Sequence, residues 1–149
     1  TLIALTTVCP NKRIILNELK KMMEYNKVVN KNDIFRLNWE AKFLYSLWKN
    51  SITNKNITTH ANQLTKNILS LKINNNNETN YLAVNFEALS SLLPLIKNNK
   101  LKIEMKNRIF ELFYLLQQRV NKYGLYEFMN KSARLDISGH VFNGFLTLL

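Results

Sequence analysis

The stretch NFEALSSLLPLIKNNKLKIEMKNRIFELFYLLQQRVNKY, residues 85–123, decides the reading of the fold. Starting from Leu82 just ahead of it, Phe86, Leu89, Leu93 and Ile96 follow at steps of four, three, four and three, which puts them on one helical face. A polar connector at residues 97–102 follows. Met105, Ile109, Leu112, Leu116 and Val120 then repeat the spacing, with Phe110 and Phe113 widening the stripe. Two amphipathic helices joined by so short a link fold back on each other, so the stretch is read as a helical hairpin.

Its first helix recurs. Asn85, Phe86, Glu87 and Ala88 answer to Asn38, Trp39, Glu40 and Ala41 at an offset of 47, and an apolar run follows each. Gly124, Leu125, Phe128 and Met129 stand where Ala88, Leu89, Leu92 and Leu93 stand, an offset of 36. Leu2, Leu5, Val8 and Cys9 match Ala41, Leu44, Leu47 and Trp48 at an offset of 39. Each copy has a second helix behind it: Ile15, Leu19 and Met22 first, then Ala61, Leu64, Ile68 and Leu71, then the long helix above, and last Val141, Phe142, Phe145 and Leu149. Paired helices at such a period predict an all-α chain of seven or eight helices in stacked hairpins, an α-solenoid. The alternative is a compact helical bundle, in which leucine-rich helices also align with one another.

Residues 1–149 have the size of one domain, read as a single helical-repeat region. The chain opens on threonine and its last helix runs to Leu149 without a stop signal, so it is expected to be a fragment or a processed protein. Three glycines and two prolines leave little to interrupt helices. Pro94 falls inside a stripe and is expected to kink that helix near its end. Asp33 or Asn38 is the candidate cap of the helix carrying Trp39 and Trp48, Thr58 or Thr59 of the one from His60 to Leu71, and Ser138 of the last. Residues 73–80, with four asparagines in a row, have no apolar anchor and are expected to form a mobile surface loop.

Twenty-one Lys and Arg against ten Asp and Glu give a formal net charge of +11, which favours a polyanionic partner, RNA first. Against this stand 23 asparagines: a chain rich in Asn, Lys and Ile also fits an AT-rich genome. The single cysteine, Cys9, excludes an internal disulfide and a cysteine zinc site. No apolar run reaches the roughly 20 residues of a membrane span. His60 and His140 have no carboxylate or cysteine at ligand spacing and are read as surface or packing residues. With no phosphate loop and no nucleophile elbow, the chain is expected to have no enzymatic activity, metal, cofactor or small-molecule substrate.

The basic residues carry the functional reading. Lys97, Lys100, Lys102, Lys106 and Arg108 crowd the connector and start of the long helix, and Arg119 and Lys122 close its far end. Lys12, Arg13, Lys20 and Lys21 do the same on the first hairpin. In stacked hairpins such residues form a stripe suited to a phosphate backbone, with Tyr114, Tyr123 and Tyr126 as candidate stacking platforms. A solvated polar face is the competing reading.

Leu89, Leu92 and Leu93 with Ile109, Leu112 and Leu116 resemble one repeat of the organellar octotricopeptide and heptatricopeptide proteins, the class that includes the FAST-kinase-like and RAP-domain proteins. Leu125, Phe128 and Met129 resemble the start of another. The resemblance implies a mitochondrial protein acting on ribosomal or other organellar RNA among ribonucleoprotein neighbours; no RAP-type domain is read within residues 1–149. A second resemblance runs through residues 42–48, Leu93, Pro94 and Leu95, and residues 114–118, which are similar to the helical domain of a second-step pre-mRNA splicing factor. That implies a nuclear protein-interaction module, although Asp136, Ile137, Ser138, Gly139 and His140 stand where that family has its functional loop. The region 101–123 is also similar to the helical module shared by the COPII outer coat and the steroid-receptor RNA activator.

Overall fold

The computed structural model describes residues 11–26, 33–128 and 132–149. The proposed first helix with Leu2, Leu5, Val8 and Cys9, and the place of Met129, lie outside these residues. The described residues are all-α: six helices and one short 3-10 turn.

Helix α1 (Lys12–Asn26) starts at Asn11, whose side-chain oxygen accepts from the amides of Arg13 and Ile14 at 3.1 and 3.4 Å. It buries Ile15 and Leu19, four residues apart. Helix α2 (Ile34–Lys49) is capped by Asp33, which accepts from the amides of Phe35 and Arg36. Its far end closes with Ser51 N–H donating to Trp48 O and Ile52 N–H donating to Leu47 O. That pairing needs a left-handed residue, here Ser51 at φ 58. Helix α3 (Lys55–Leu69) is capped by Asn54, not by Thr58 or Thr59. Asn54 accepts from Ile57 N–H at 2.9 Å, and buried Ile57 anchors that extra turn.

Helix α4 (Thr79–Leu92) lies at the centre, packing against α2, α3, α5 and a later helix, α6 (Leu135–Leu148). A helix surrounded by neighbours must be compatible with burial all round, and α4 is buried at every position from Leu82 to Leu92. Pro94 ends this helix and does not kink it: the α-helix stops at Leu92 and the 3-10 turn Leu93–Leu95 carries the proline, whose missing N–H breaks the ladder. Helix α5 (Asn99–Gln117), capped by Asn98, packs back on α4 with Leu101, Met105, Ile109, Leu112 and Leu116 buried. The hairpin expected from residues 85–123 is therefore present, but Phe110 is 73% exposed and does not belong to its stripe.

The expected helix at Gly124, Leu125 and Phe128 is absent. The chain instead turns at Gly124 (φ 79), the Asn121 side chain accepts from the amides of Tyr123 and Leu125, and antiparallel bridges pair Val120 with Tyr126 and Glu127 with Ala133. Helix α6 begins at Leu135, so Ser138 is inside its first turn and is not its cap. Among the described helices α2 neighbours α4 and α4 neighbours α6, while α3 and α5 pack on each other and against α4. No helix of the described residues is long and apolar enough to cross a membrane.

The asparagine-rich segment has a polar contact, with Arg119. Its guanidinium donates to Asn77 O at 2.6 Å, Asn75 O at 2.8 Å and Thr79 Oγ1 at 3.2 Å, reaching back about forty residues in sequence. Burial lowers the Arg119 pKa from its ordinary value. Arg119→Ala is expected to cost about 1–2 kcal/mol, because charge-assisted bonds are lost while water reaches the exposed carbonyls. The urea midpoint measures the loss, and faster amide exchange at residues 74–77 would locate it.

Candidate functional site

The centre of α4 carries an ionised group where an apolar helix should have none. Glu87 is 1% exposed, and each of its carboxylate oxygens is engaged by neighbouring helices. From α2, Asn38 Nδ2 donates to Oε2 at 2.7 Å and Lys42 Nζ donates to Oε1 at 2.9 Å. From α6, His140 Nδ1 lies 2.7 Å from Oε2. With a proton on Nδ1 this nitrogen donates to the carboxylate. Burial pushes the Glu87 pKa up, but the hydrogen bonds from His140, Asn38 and Lys42 and the Lys42 charge outweigh it and hold the carboxyl at about 2. An acid that strong, with both oxygens occupied, positions its neighbours and does not exchange protons near neutrality. Lys42 has a second partner, its ammonium lying 5.0 Å from the centre of the Trp39 ring.

The other copy of the Asn-aromatic-Glu-Ala motif behaves alike. Glu40 is 4% exposed, bonded to Arg36 at 3.4 Å and in contact with His60 of α3. Asn38 and Asn85 are both buried, and so are Ala41 and Ala88. The aromatic positions diverge: Phe86 is buried between helices, whereas Trp39 is 58% exposed. Both histidines are thus partners of buried carboxylates. Sequence reasoning missed them because the partners stand 20 and 53 residues away, beyond any local spacing rule. The signal available was the repeated Asn and Glu inside two apolar stripes. Among the described residues no group of three metal-ligating side chains occurs.

Above Glu87 the flanks of α2 and α6 leave a groove of about 570 Å³, floored by Glu87 and Ser91. Lys42, Tyr45 and Lys49 form one wall and Asn143, Leu146 and Thr147 the other, with Asn50 at the end.

The basic residues singled out from the sequence separate into two groups. Arg108 donates to Leu71 O at 3.0 Å and Leu69 O at 3.4 Å and pairs with Glu111, so it closes the end of α3; Arg119 donates to carbonyls of the asparagine loop. An arginine fork suits such multiple carbonyls. Lys97, Lys100 and Lys106 are exposed and Lys102 half-exposed, none in an ion pair among the described residues. Lys122 is exposed and lies over the Tyr123 ring. Of the candidate stacking platforms, Tyr114 and Tyr123 are exposed, but Tyr126 is buried. A small groove between α3 and α5, about 310 Å³, brings Lys66 and Lys100 together with Asn62, Asn98 and the carboxylate of Glu104. A larger one, about 690 Å³, places Arg13, Lys20 and Glu24 of α1 beside Asn54 and Asn56.

No family model, curated protein or solved structure matches the chain.

Proposed function

We propose that the chain is a non-catalytic helical module that binds RNA within a ribonucleoprotein, with a mitochondrial assembly as the first setting and a nuclear one as the alternative. The observation that carries the reading is the cationic edge at the start of α5, where Glu104 is the one carboxylate among four lysines. There Lys97, Lys100, Lys102 and Lys106 stand without carboxylate partners among the described residues, with Lys66 added across the α3–α5 groove. Such an edge gains affinity for a polyanion through counterion release. Arg108 and Arg119 are spent on backbone carbonyls and are not part of it.

Replacing Lys100, Lys102 and Lys106 together with glutamine is expected to weaken binding of a single-stranded RNA at least tenfold at moderate salt. The log–log salt slope should fall by roughly 2, at about 0.7 for each phosphate that a lysine neutralises. Helix content should not change, since glutamine is nearly as good a helix former as lysine. Fluorescence anisotropy against salt measures both the affinity and the slope. Unchanged affinity would return the lysines to a solvated surface.

A second reading, a protein-interaction module, rests on α6. Leu135, Phe142, Leu146 and Leu149 stand at helical spacing and are 79%, 63%, 51% and 103% exposed, an apolar face with no partner among the described residues.

A further inference from the structure

We infer that the groove between α2 and α6 is a binding site for a small hydroxylated organic anion, the chemistry shared by sugar acids and sugar phosphates. This does not rest on the RNA reading. The groove, at about 570 Å³, is within the 300–1,000 Å³ range of small-ligand sites.

Its electrostatics favour an anion. The one negative charge at the floor, Glu87, is already neutralised by Lys42 and has both oxygens engaged, so it neither repels a ligand strongly nor attracts a cation. Lys49 is left over. It follows Lys42 by seven residues, on the same face of α2, and lines the same wall. The carbonyls at that helix end do not need it, because Asn50 N–H and Nδ2 donate to Ser46 O, Ser51 N–H to Trp48 O and Ile52 N–H to Leu47 O. Neither the Lys49 side chain nor that of Asn143, facing it from α6, makes a hydrogen bond or ion pair among the described residues.

The remaining lining suits hydroxyls on an apolar ring face. Thr147 Oγ1 donates to Gly144 O and keeps its lone pairs for a donor on the ligand. Asn50 gives its side-chain N–H to Ser46 O and likewise keeps its amide oxygen. Tyr45, stacked on Trp48 at 5.7 Å, and Leu146 offer the apolar surface that C–H groups of a sugar ring require.

The test is isothermal titration of the protein with glucuronate, glucose 6-phosphate and glucose. At least one of the two anions is expected to bind with a Kd in the millimolar range or below, and glucose at least tenfold more weakly; the stronger anion names the head group as carboxylate or phosphate. Lys49→Gln and, separately, Asn143→Ala should each weaken the preferred anion by about tenfold without moving the urea midpoint, since neither side chain has a partner among the described residues. Binding of single-stranded RNA by the Lys49→Gln variant should be unaltered, which separates this site from the α5 edge. Binding of neither anion, equal binding of glucose, or unchanged anion affinity in both variants would overturn the assignment.

Discussion

Glu87→Ala is expected to destabilise the protein by about 3–5 kcal/mol, the usual consequence of removing one partner from a buried ionic network. The substitution strands Asn38 and Lys42 on α2 and His140 on α6, all aimed at a carboxylate that is no longer there. It also opens a cavity at the helix against which α2 and α6 both pack. The same network gives stability a dependence on acid. The Glu87 pKa falls from 4.5 to about 2 on folding, so its contribution is complete above about 4.5 and is lost as pH falls towards 2. The shift corresponds to about 3 kcal/mol over that window. Urea midpoints measured from pH 6 to pH 2 should show a steep loss in the wild type, and Glu87→Gln, which cannot ionise, should flatten it. Parallel acid profiles for the two proteins would remove Glu87 from the account.

Gly144→Val is expected to cost about 3 kcal/mol or more, since it drives a branched side chain into a packed helix crossing. A Cβ at this position would lie 2.5 Å from two ring carbons of Phe86 and 3.4 Å from the Glu87 backbone. The ring cannot swing aside easily. Phe86 is 1% exposed and meets Phe145 edge-on at 5.1 Å, and Phe145 in turn meets Phe113 at 5.4 Å. Gly144→Ala should lose about 1–3 kcal/mol in spite of its better helix propensity. Gly139 supplies the control in the same helix, because nothing lies within 4 Å of its would-be Cβ. There alanine should stabilise by roughly 0.5–1 kcal/mol. Opposite signs for two glycine-to-alanine changes in one helix would confirm that close approach of α4 and α6 requires Gly144.

The elements of this fold were legible wherever local chemistry and burial agreed. The stripe through Met105, Ile109, Leu112 and Leu116 and the cap at Asp33 both rest on interactions within a turn or two, which a sequence displays directly. Reading failed where a distant partner or a local turn outweighed hydrophobic spacing. Leu125 and Phe128 have the spacing of a helix, yet Asn121 and Gly124 start a tight turn and the chain pairs across bridges. Phe110 is apolar at the edge of a buried stripe, and only the placement of α5 against α4 shows that this edge faces solvent.

The same division holds for function. Composition alone established the basic surplus, and the recurrence of Asn38, Glu40 and Ala41 at Asn85, Glu87 and Ala88 was visible in the sequence. Charge says nothing of pairing, however. Only the folded chain separates Arg108 and Arg119, bound to carbonyls 37 to 44 residues away, from lysines that no described carboxylate engages. Only the crossing of α2, α4 and α6 brings Lys42, Glu87 and His140 to one point and raises the groove above them. Helices are local objects whose hydrogen bonds join residues four apart, so sequence by itself determined that this protein is all-α; which faces meet, and hence where its chemistry lies, depends on packing between residues dozens of positions apart, and only the tertiary structure decided that.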